Sequence, residues 1–180
     1  MRRAAPLLVL LAGALLGGCA APAANDQSDW EREREETSLR NVDVAPPAFP
    51  RERDLISFSV SAASDFKFFI DGASIAPAAD GVVRYVLEAR SRQGARTVNF
   101  EGIRCQSGEY RIYATGTDAG EWIRRPSPWR QIKAGNDADR WHEALAIEYF
   151  CPLGVPIRSR AEGVDALRRG VSPRRAPSES

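Results

Sequence analysis

The fold of this chain is decided by residues 82–105, which read VVRYVLEARSRQGARTVNFEGIRC. β-branched and aromatic residues dominate two runs, 82–87 and 97–105, and the short stretch between them contains Gly94. Such runs, joined by a glycine-containing turn, predict two neighbouring antiparallel strands. Gly102 shifts the alternation of the second run, which predicts a bulge that lets residues on both sides of it face the core.

Three further segments have the pattern of strands, and they lie at 55–60, 66–70 and 109–114. In the first of them, apolar residues alternate with serines, which is typical of a half-buried strand. Short turns rich in Gly and Asp separate the segments. Because strands joined by such turns run antiparallel, we expect one antiparallel sheet of about five strands.

The pattern changes to that of helices after Trp122. Ser127 precedes a proline and Gly135 lies where a helix would end, which together predict a helix of about two turns. Residues 139–149 predict a second helix, since their apolar residues fall on one side at helical spacing. We therefore predict an α+β fold, in which one or two short C-terminal helices cover an antiparallel sheet of about five strands.

The N-terminus has the features of a bacterial lipoprotein signal. Two arginines precede an apolar run, and its roughly 15 residues are fewer than the ~20 that span a bilayer. The motif Leu16-Gly17-Gly18-Cys19 resembles a lipobox, in which the cysteine thiol is acylated and the chain is cut before it. We predict a signal peptide at 1–18 and lipidation of Cys19. An ordinary signal peptide cut near residues 20–24 and an uncut anchor are the alternatives.

Lipidation of Cys19 predicts attachment to a membrane through the N-terminal lipid. Ala20 occupies the position at which, by resemblance to enterobacterial sorting, an aspartate would favour the inner membrane. The expected location is therefore the bacterial cell envelope, with the protein on the outer membrane and facing the periplasm.

Composition divides the rest of the chain into three parts. Residues 19–53 predict a flexible tether, because a charged stretch without an apolar stripe leads into a proline-rich stretch. Trp30 and Phe49 are unusual in a spacer, and docking on the domain, docking on a partner and an incidental aromatic are all open. Residues 54–157 predict the globular domain. Residues 158–180, rich in Arg, Ser and Pro, predict a mostly disordered tail with a helical turn around 164–169.

Charge and residue usage exclude several classes of function. The formal charge is +1, from 25 Lys and Arg against 24 Asp and Glu, whereas a nucleic-acid-binding protein should have a basic excess. His142-Glu143 begins like a zinc-protease motif, but Ala146 stands where the second histidine should be. Since His142 is the single histidine, we predict no metal, no cofactor and no catalytic residue of a known motif.

Two cysteines remain once Cys19 is assigned to the lipid, and they are Cys105 and Cys151. In an oxidising periplasm such a pair most often forms a disulfide, which is our prediction. A reactive thiol is the competing interpretation, and no histidine near either cysteine in sequence supports it.

Charged residues in and beside the predicted strands are candidates for function. Arg84, Glu101 and Arg104 lie in neighbouring strands, where we expect an ion pair between Glu101 and an arginine, or alternatively a site for an anionic partner. Asp71, Asp80 and Glu101 provide carboxylates for glycoside chemistry, although aspartates in turns more often bond the backbone.

Three tryptophans, Trp122, Trp129 and Trp141, fall within twenty residues of one another. Core positions are the expected role, and an aromatic binding face is the alternative. The residues predicted for a binding site are Arg84, Glu101, Arg104, Trp122 and Trp129.

Several motifs occur in a fixed order: a lipobox, a Trp-Glu start before a proline-rich stretch, Asp80-Gly81-Val82-Val83-Arg84-Tyr85, Glu101-Gly102-Ile103-Arg104-Cys105 and Tyr149-Phe150-Cys151-Pro152. As a set, over about residues 30–153, they resemble the CNP-one-like family of uncharacterised proteobacterial envelope proteins, many of them predicted lipoproteins. The resemblance implies an envelope location and one compact domain, and it supplies no reaction. We expect a binding or accessory module for another envelope protein or a cell-wall component. The alternative is a hydrolase of envelope polymers that uses Asp71, Asp80 or Glu101.

Overall fold

The computed structural model describes Ser28 and residues 44–60 and 64–172. The predicted signal peptide, the lipidation site Cys19 and most of the predicted tether lie outside these ranges. Within them, no helix is long and apolar enough to cross a membrane.

Antiparallel strands form one sheet, in the order β1-β2-β4-β5-β6-β7, with β3 paired to β4 and β8 paired to β6. Their bounds are Leu55–Phe58 (β1), Phe66–Asp71 (β2), Ala76–Pro77 (β3), Val82–Ser91 (β4), Arg96–Arg104 (β5), Glu109–Gly116 (β6), Trp122–Arg124 (β7) and Arg130–Gln131 (β8). All five predicted strands are present, and the short strands β3, β7 and β8 are additional.

The hairpin of β4 and β5 is the centre of the sheet. Its register runs from Val82 opposite Arg104 to Arg90 opposite Arg96, and the turn between the strands contains Gly94 at φ +90°. That φ lies in the left-handed region, which a glycine adopts without a steric penalty. The sequence pattern therefore predicted this hairpin correctly.

The bulge lies on β6 and not at Gly102. Phe100 is opposite Ala114 and Glu101 is opposite Ile112, so Tyr113 is the extra residue. Along β5 the alternation continues without a break through Gly102. The prediction of a bulge at Gly102 was wrong because it assumed one buried face, whereas the sheet buries side chains on both faces.

Two helices cover one face of the sheet. Helix α1 spans Arg140–Ala144 and continues as a π-helical segment at Leu145–Phe150, close to the predicted 139–149. Helix α2 spans Arg160–Arg169 and buries Ala166 and Leu167 in the core, where the sequence had predicted a mostly disordered tail with one helical turn around 164–169. The α+β class is confirmed, and the globular domain extends beyond its predicted end at residue 157.

The helix predicted between Ser127 and Gly135 is absent, and the chain is extended there. Ser127 Oγ accepts a hydrogen bond from the backbone N–H of Ile112, and the Ser127 carbonyl accepts two from Arg111. Residues Arg130–Gln131 then pair with β6. The capping residue thus bonds to a neighbouring strand instead of starting a helix.

Each face of the sheet has its own core. On the first, which we call the helix face, side chains of the sheet pack against α1, the π-helical segment and α2. On the second, which we call the strap face, Val86, Val98, Phe100, Tyr113 and Ala114 are buried.

Residues 44–50 cover part of the strap face, and we call this segment the N-terminal strap. The indole N–H of Trp122 donates to the carbonyl of Pro47 over 2.9 Å, and the rings of Phe49 and Trp122 are 5.1 Å apart. Since Gly116 has no Cβ, the Phe49 ring fits directly above it. Residues 44–50 of the predicted tether are therefore packed on the sheet, and the domain begins before residue 54.

Candidate binding site

Four of the five residues predicted for a binding site lie on the strap face. Arg84, Arg104 and Trp129 belong to a row of alternating guanidinium groups and rings, and Trp122 packs beside it against Phe49 and Phe100. Glu101 points to the helix face instead.

The row, which we call the arginine–aromatic ladder, consists of Arg84, Tyr113, Arg111, Trp129 and Arg104. The Cζ of Arg104 is 4.0 Å and that of Arg111 is 5.1 Å from the centroid of the Trp129 ring. Arg84 and Arg111 each lie 5.7 Å from the Tyr113 ring. Burial and the neighbouring Arg104 lower the pKa of Arg111. Each guanidinium group of the ladder therefore has an aromatic ring of the protein itself as a contact.

The predicted ion pair between Glu101 and an arginine does not form. Arg84 pairs with Asp80 over 2.5 Å, and Arg104 pairs with Glu109 over 3.0 Å. The cause is strand alternation, since both arginines point to the strap face while Glu101 points to the helix face.

Glu101 belongs to a buried polar cluster under α1. It accepts a hydrogen bond from the Tyr85 hydroxyl over 3.2 Å, lies 3.0 Å from Nε2 of His142 and also accepts from Asn99. Burial, followed by the nearby Glu101 carboxylate, raises the pKa of Tyr85 well above its ordinary value. The Tyr110 ring stacks on His142 at 3.6 Å between ring centroids. Tyr85, Glu101 and His142 are each buried, so this cluster holds the helix on the sheet.

The three candidate carboxylates have separate partners. Asp71 accepts from the backbone N–H of Ala73, and its burial raises the pKa of its carboxyl group. Asp80 accepts from the N–H of Val82 and pairs with Arg84, whose hydrogen bond lowers the pKa of that carboxyl group. Together with the buried Glu101, they are engaged in three local structures and do not converge on one cleft.

The three tryptophans likewise do not form a common face. Trp122 packs under the N-terminal strap, and Trp129 stacks in the arginine–aromatic ladder. Trp141 lies on the other side of the sheet, where its ring stacks on Phe68 at 5.5 Å.

Cys105 and Cys151 form a disulfide. It joins the residue after β5 to the residue that ends the π-helical segment, so the sheet and the first helix are covalently linked. Among the residues that the structure describes, no group of three His, Cys, Asp or Glu side chains is placed to hold a metal ion.

A cleft of about 920 Å³ opens between the β1–β2 hairpin and the C-terminal end of α2, and we call it the β1–β2 cleft. Its aromatic lining residues are Phe58, Phe66, Phe68, Phe69 and Tyr149. Among the residues that the structure describes, the charged members of its lining are Lys67, Arg168 and Arg169. None of the residues predicted for binding or catalysis lines it.

The sequence analysis did not predict this cleft. One of its walls is α2, which lies in the segment predicted to be a mostly disordered tail. The signal for that helix is present, however. Ser159 accepts a hydrogen bond from the N–H of Glu162, and Glu162 accepts one from the N–H of Arg158. A serine followed three residues later by a glutamate is a capping pattern, and Gly170 lies just beyond the helix.

The fold defines the class of this protein: a small, disulfide-linked α+β domain with a sheet buried on both faces and a cleft at one end. Comparison of sequences then gives its family. The sequence model of the CNP1-like family matches residues 34–168, so the chain belongs to the CNP1-like (CNP-one-like) family, as the motifs had indicated. The matched region includes most of α2, which agrees with its place in the core.

One curated relative is the cryptic neisserial protein 1 of Neisseria gonorrhoeae, which is 33% identical over 105 residues. The aligned region spans about half of this chain and 50% of the relative's length. No solved structure matches the chain.

Proposed function

We propose that this protein is a lipid-anchored binding module of the bacterial envelope, and that the β1–β2 cleft is where it binds. The cleft carries the proposal, because it is a concavity of about 920 Å³ that combines aromatic walls with a few charged groups. Binding sites for small molecules and peptide anchors have this size and this mixture of side chains. In this proposal the partner is another envelope component, either a protein or a cell-wall component, and not a nucleic acid.

The proposal assigns no catalytic step to the protein. Asp71, Asp80 and Glu101, the carboxylates of the hydrolase alternative, each bond within their own part of the sheet. An acid and a base that act on one glycosidic bond must face the same bound sugar. No observation on these three residues favours that arrangement, so we do not propose a hydrolase.

The cleft can be tested by photo-crosslinking in intact cells. A photoreactive phenylalanine analogue at Phe66, whose side chain is 49% exposed at the cleft, should capture the bound partner. The matched control carries the analogue at Ile123, which is 45% exposed on β7 and does not line the cleft. A specific adduct from position 66 supports the proposal. Equal capture at both positions, or none at position 66, would overturn it.

Membrane attachment through Cys19 is the second part of the proposal, and the lipobox-like sequence supports it. Cys19→Ala should move the protein from the membrane fraction to the soluble fraction, because the acylated thiol is lost. As a control, Ala20→Asp leaves the thiol in place and should keep the protein in the membrane fraction, with a shift toward the inner membrane. Retention of the Cys19→Ala variant on membranes without lipid would contradict the anchor.

A further inference from the structure

We propose that the β1–β2 cleft binds an extended segment of another polypeptide, which joins the sheet as a strand along the open edge of β1. This inference rests on the proposed binding function of the cleft, and it adds the chemical class of the partner. Three observations carry it, namely the backbone groups of β1 that face away from β2, the residues that make up this edge, and the course of the cleft around the hairpin.

β1 is an edge strand, and its register shows which of its backbone groups face outward. The N–H of Gly72 donates to the carbonyl of Asp54 over 2.9 Å, one step beyond the first pair of the β1–β2 ladder. In an antiparallel ladder, opposed pairs that exchange hydrogen bonds alternate with pairs that do not. Ile56 and Phe58 therefore bond to β2, whereas Ser57 directs its N–H and C=O away from it.

The outward backbone groups of Ser57 are available for pairing. In the part of the chain that the structure describes, no residue bonds its N–H or its C=O, and Ser57 is exposed. Next to it on the same side, the N–H of Leu55 donates to Glu52, and the carbonyl of Ser59 accepts from the Tyr149 hydroxyl. The carbonyl of Leu55 and the N–H of Ser59 complete the open edge, which is a template for another strand.

The two edges of the sheet differ in their protection from strand pairing. β7, β8 and the chain between them run along the outer side of β6, and they carry Arg124, Arg125, Pro126 and Pro128. Charged side chains and prolines keep an edge strand from pairing with another chain. β1, at Leu55–Phe58, has neither a charge nor a proline. This contrast favours β1 as the edge that a partner extends.

The cleft lies where such a strand would run. Its lining includes Ser57 and Phe69, which point to the strap face, and Phe58 and Phe68, which point to the helix face. A cavity that touches both faces of a hairpin passes around it where no further strand is paired. The cleft therefore reaches the unpaired backbone of β1 as well as the aromatic rings.

Strand alternation defines the side chains that suit this position. The partner residue opposite Ser57 points to the strap face, and the residues next to it point to the helix face, where Phe58 and Leu167 line the cleft. The partner is therefore an extended segment with apolar side chains at alternate positions. The β1 strand of a second copy does not supply them, because its Phe58 is buried in its own core.

Strand addition can be tested in intact cells with the photoreactive analogue at position 66. Ser57→Pro removes an N–H that faces away from β2, so the ladder between β1 and β2 keeps its hydrogen bonds. We expect the protein adduct to fall by about tenfold or more, because a backbone hydrogen bond and the close approach of the partner are both lost. The matched control Ser57→Ala keeps the N–H and should keep the adduct. An adduct that persists in Ser57→Pro would overturn the inference.

Thermal denaturation of the purified variants shows whether they are folded. If Ser57→Pro does not fold, Ser59→Pro takes its place, since the N–H of Ser59 lies on the same outer side, and Ser59→Ala is its control. Equal capture by these two variants would likewise contradict strand addition.

The open edge can also be measured without a substitution. In the purified full-length protein, NMR-detected exchange of the amide hydrogen should be about tenfold or more faster for Ser57 than for Ile56 and Phe58, whose N–H groups bond to β2. Equal protection of the three amides would show that the edge of β1 is already covered, and it would overturn the inference.

The crosslink separates failure of this inference from failure of the proposed function. The absence of any adduct at position 66, with no substitution in β1, rejects both. A glycan adduct that Ser57→Pro leaves unchanged retains the binding cleft and rejects strand addition. An adduct to a second copy of this chain rejects the extended segment of another polypeptide as the partner.

Discussion

At the scale of single residues, strand alternation decides which charges meet. Glu88 and Glu101 are both fully buried acids in the central hairpin, but they point to opposite faces of the sheet. Glu101 finds a tyrosine and a histidine on the helix face. Glu88 finds Arg90 and Arg96 on the strap face, over 2.5 and 2.7 Å. In the sequence, Glu88 and Glu101 both stand among apolar strand residues, so the sequence alone does not distinguish them. The face of the sheet to which each side chain points determines its partners.

Removal of the Glu88 charge should strongly destabilise the fold. Glu88→Gln leaves two arginines without the buried carboxylate between them, and loss of one partner of a buried ion pair costs about 3–5 kcal/mol. Arg90 and Arg96 are partly exposed, so we expect the lower end of that range. Chemical denaturation measures the change in the free energy of unfolding.

Glu52→Gln is the matched control for this change, since Glu52 also pairs with Arg90 but its side chain is 77% exposed. An exposed ion pair contributes about 1 kcal/mol or less. Equal losses for Glu88→Gln and Glu52→Gln would contradict a stabilising role for the buried carboxylate.

Asp80 should make a small contribution to stability that depends on pH. The hydrogen bond from Arg84 lowers its folded-state pKa below the ordinary value of 3.8. Ionised Asp80 therefore stabilises the folded protein fully above that ordinary value, and the stabilisation is lost as pH falls through the lowered pKa. Asp80→Asn should lower the melting temperature slightly at pH 7, and the gap from the wild type should close at strongly acidic pH. A gap that is independent of pH would contradict this assignment.

At the scale of elements, the Phe49 ring on Gly116 is one of the contacts that hold the N-terminal strap, beside the hydrogen bond from Trp122 to Pro47. A Cβ at Gly116 would lie 2.7 Å from Cε2 of Phe49, so Gly116→Ala must displace the ring. Phe49→Ala should cost about 1–3 kcal/mol from lost burial. Gly116→Ala should destabilise the wild type more than it destabilises the Phe49→Ala variant, because the ring is already absent there.

This double-mutant cycle is read by thermal denaturation of the four proteins. Some cost of Gly116→Ala should persist in both backgrounds, since the added Cβ would also come within 3.1 Å of Val98. Strict additivity of the two changes would show that the strap does not rest on Gly116 in solution.

The elements that could be predicted from the sequence are those whose signal is local. Alternating apolar residues and glycine turns placed all five principal strands, and helical spacing placed α1. The helix at 127–135 was wrong because Ser127 uses its side chain on Ile112, a partner in another strand. Helix α2 was predicted only as one turn at 164–169, because its many arginines obscure a narrow buried side formed by Gly163, Ala166 and Leu167.

The β1–β2 cleft could not be predicted from the sequence, for a different reason. Its walls come from Phe66 and its neighbours in β1 and β2 and from the end of α2, about a hundred residues further along the chain. No periodicity relates the two segments, because their proximity results from the packing of the whole core. The arginine–aromatic ladder was not predicted. Arg84, Arg104 and Trp129 were singled out as candidates, but no contact between the arginines and the tryptophan was predicted, and Arg111 and Tyr113 were not singled out.

At the scale of the whole molecule, the disulfide links the two layers of the domain. The chain-entropy model assigns roughly 4 kcal/mol to a bridge that closes a loop of about 45 residues. Reduction of Cys105 and Cys151, or Cys105→Ser with Cys151→Ser, should therefore lower the melting temperature by many degrees. An unchanged melting temperature, with both thiols free in the untreated protein, would contradict the Cys105–Cys151 disulfide.

The attachment of the strap has a mechanical consequence. Glu52 bonds Arg90 of β4, and Phe49 packs against Trp122 of β7, so the chain is fastened at two points before it enters β1. A pulling force on the N-terminus would act first on the contact of Phe49 with β7 and then on the contact of Glu52 with β4. These two contacts would therefore carry the tension before it separates the edge strand β1 from β2.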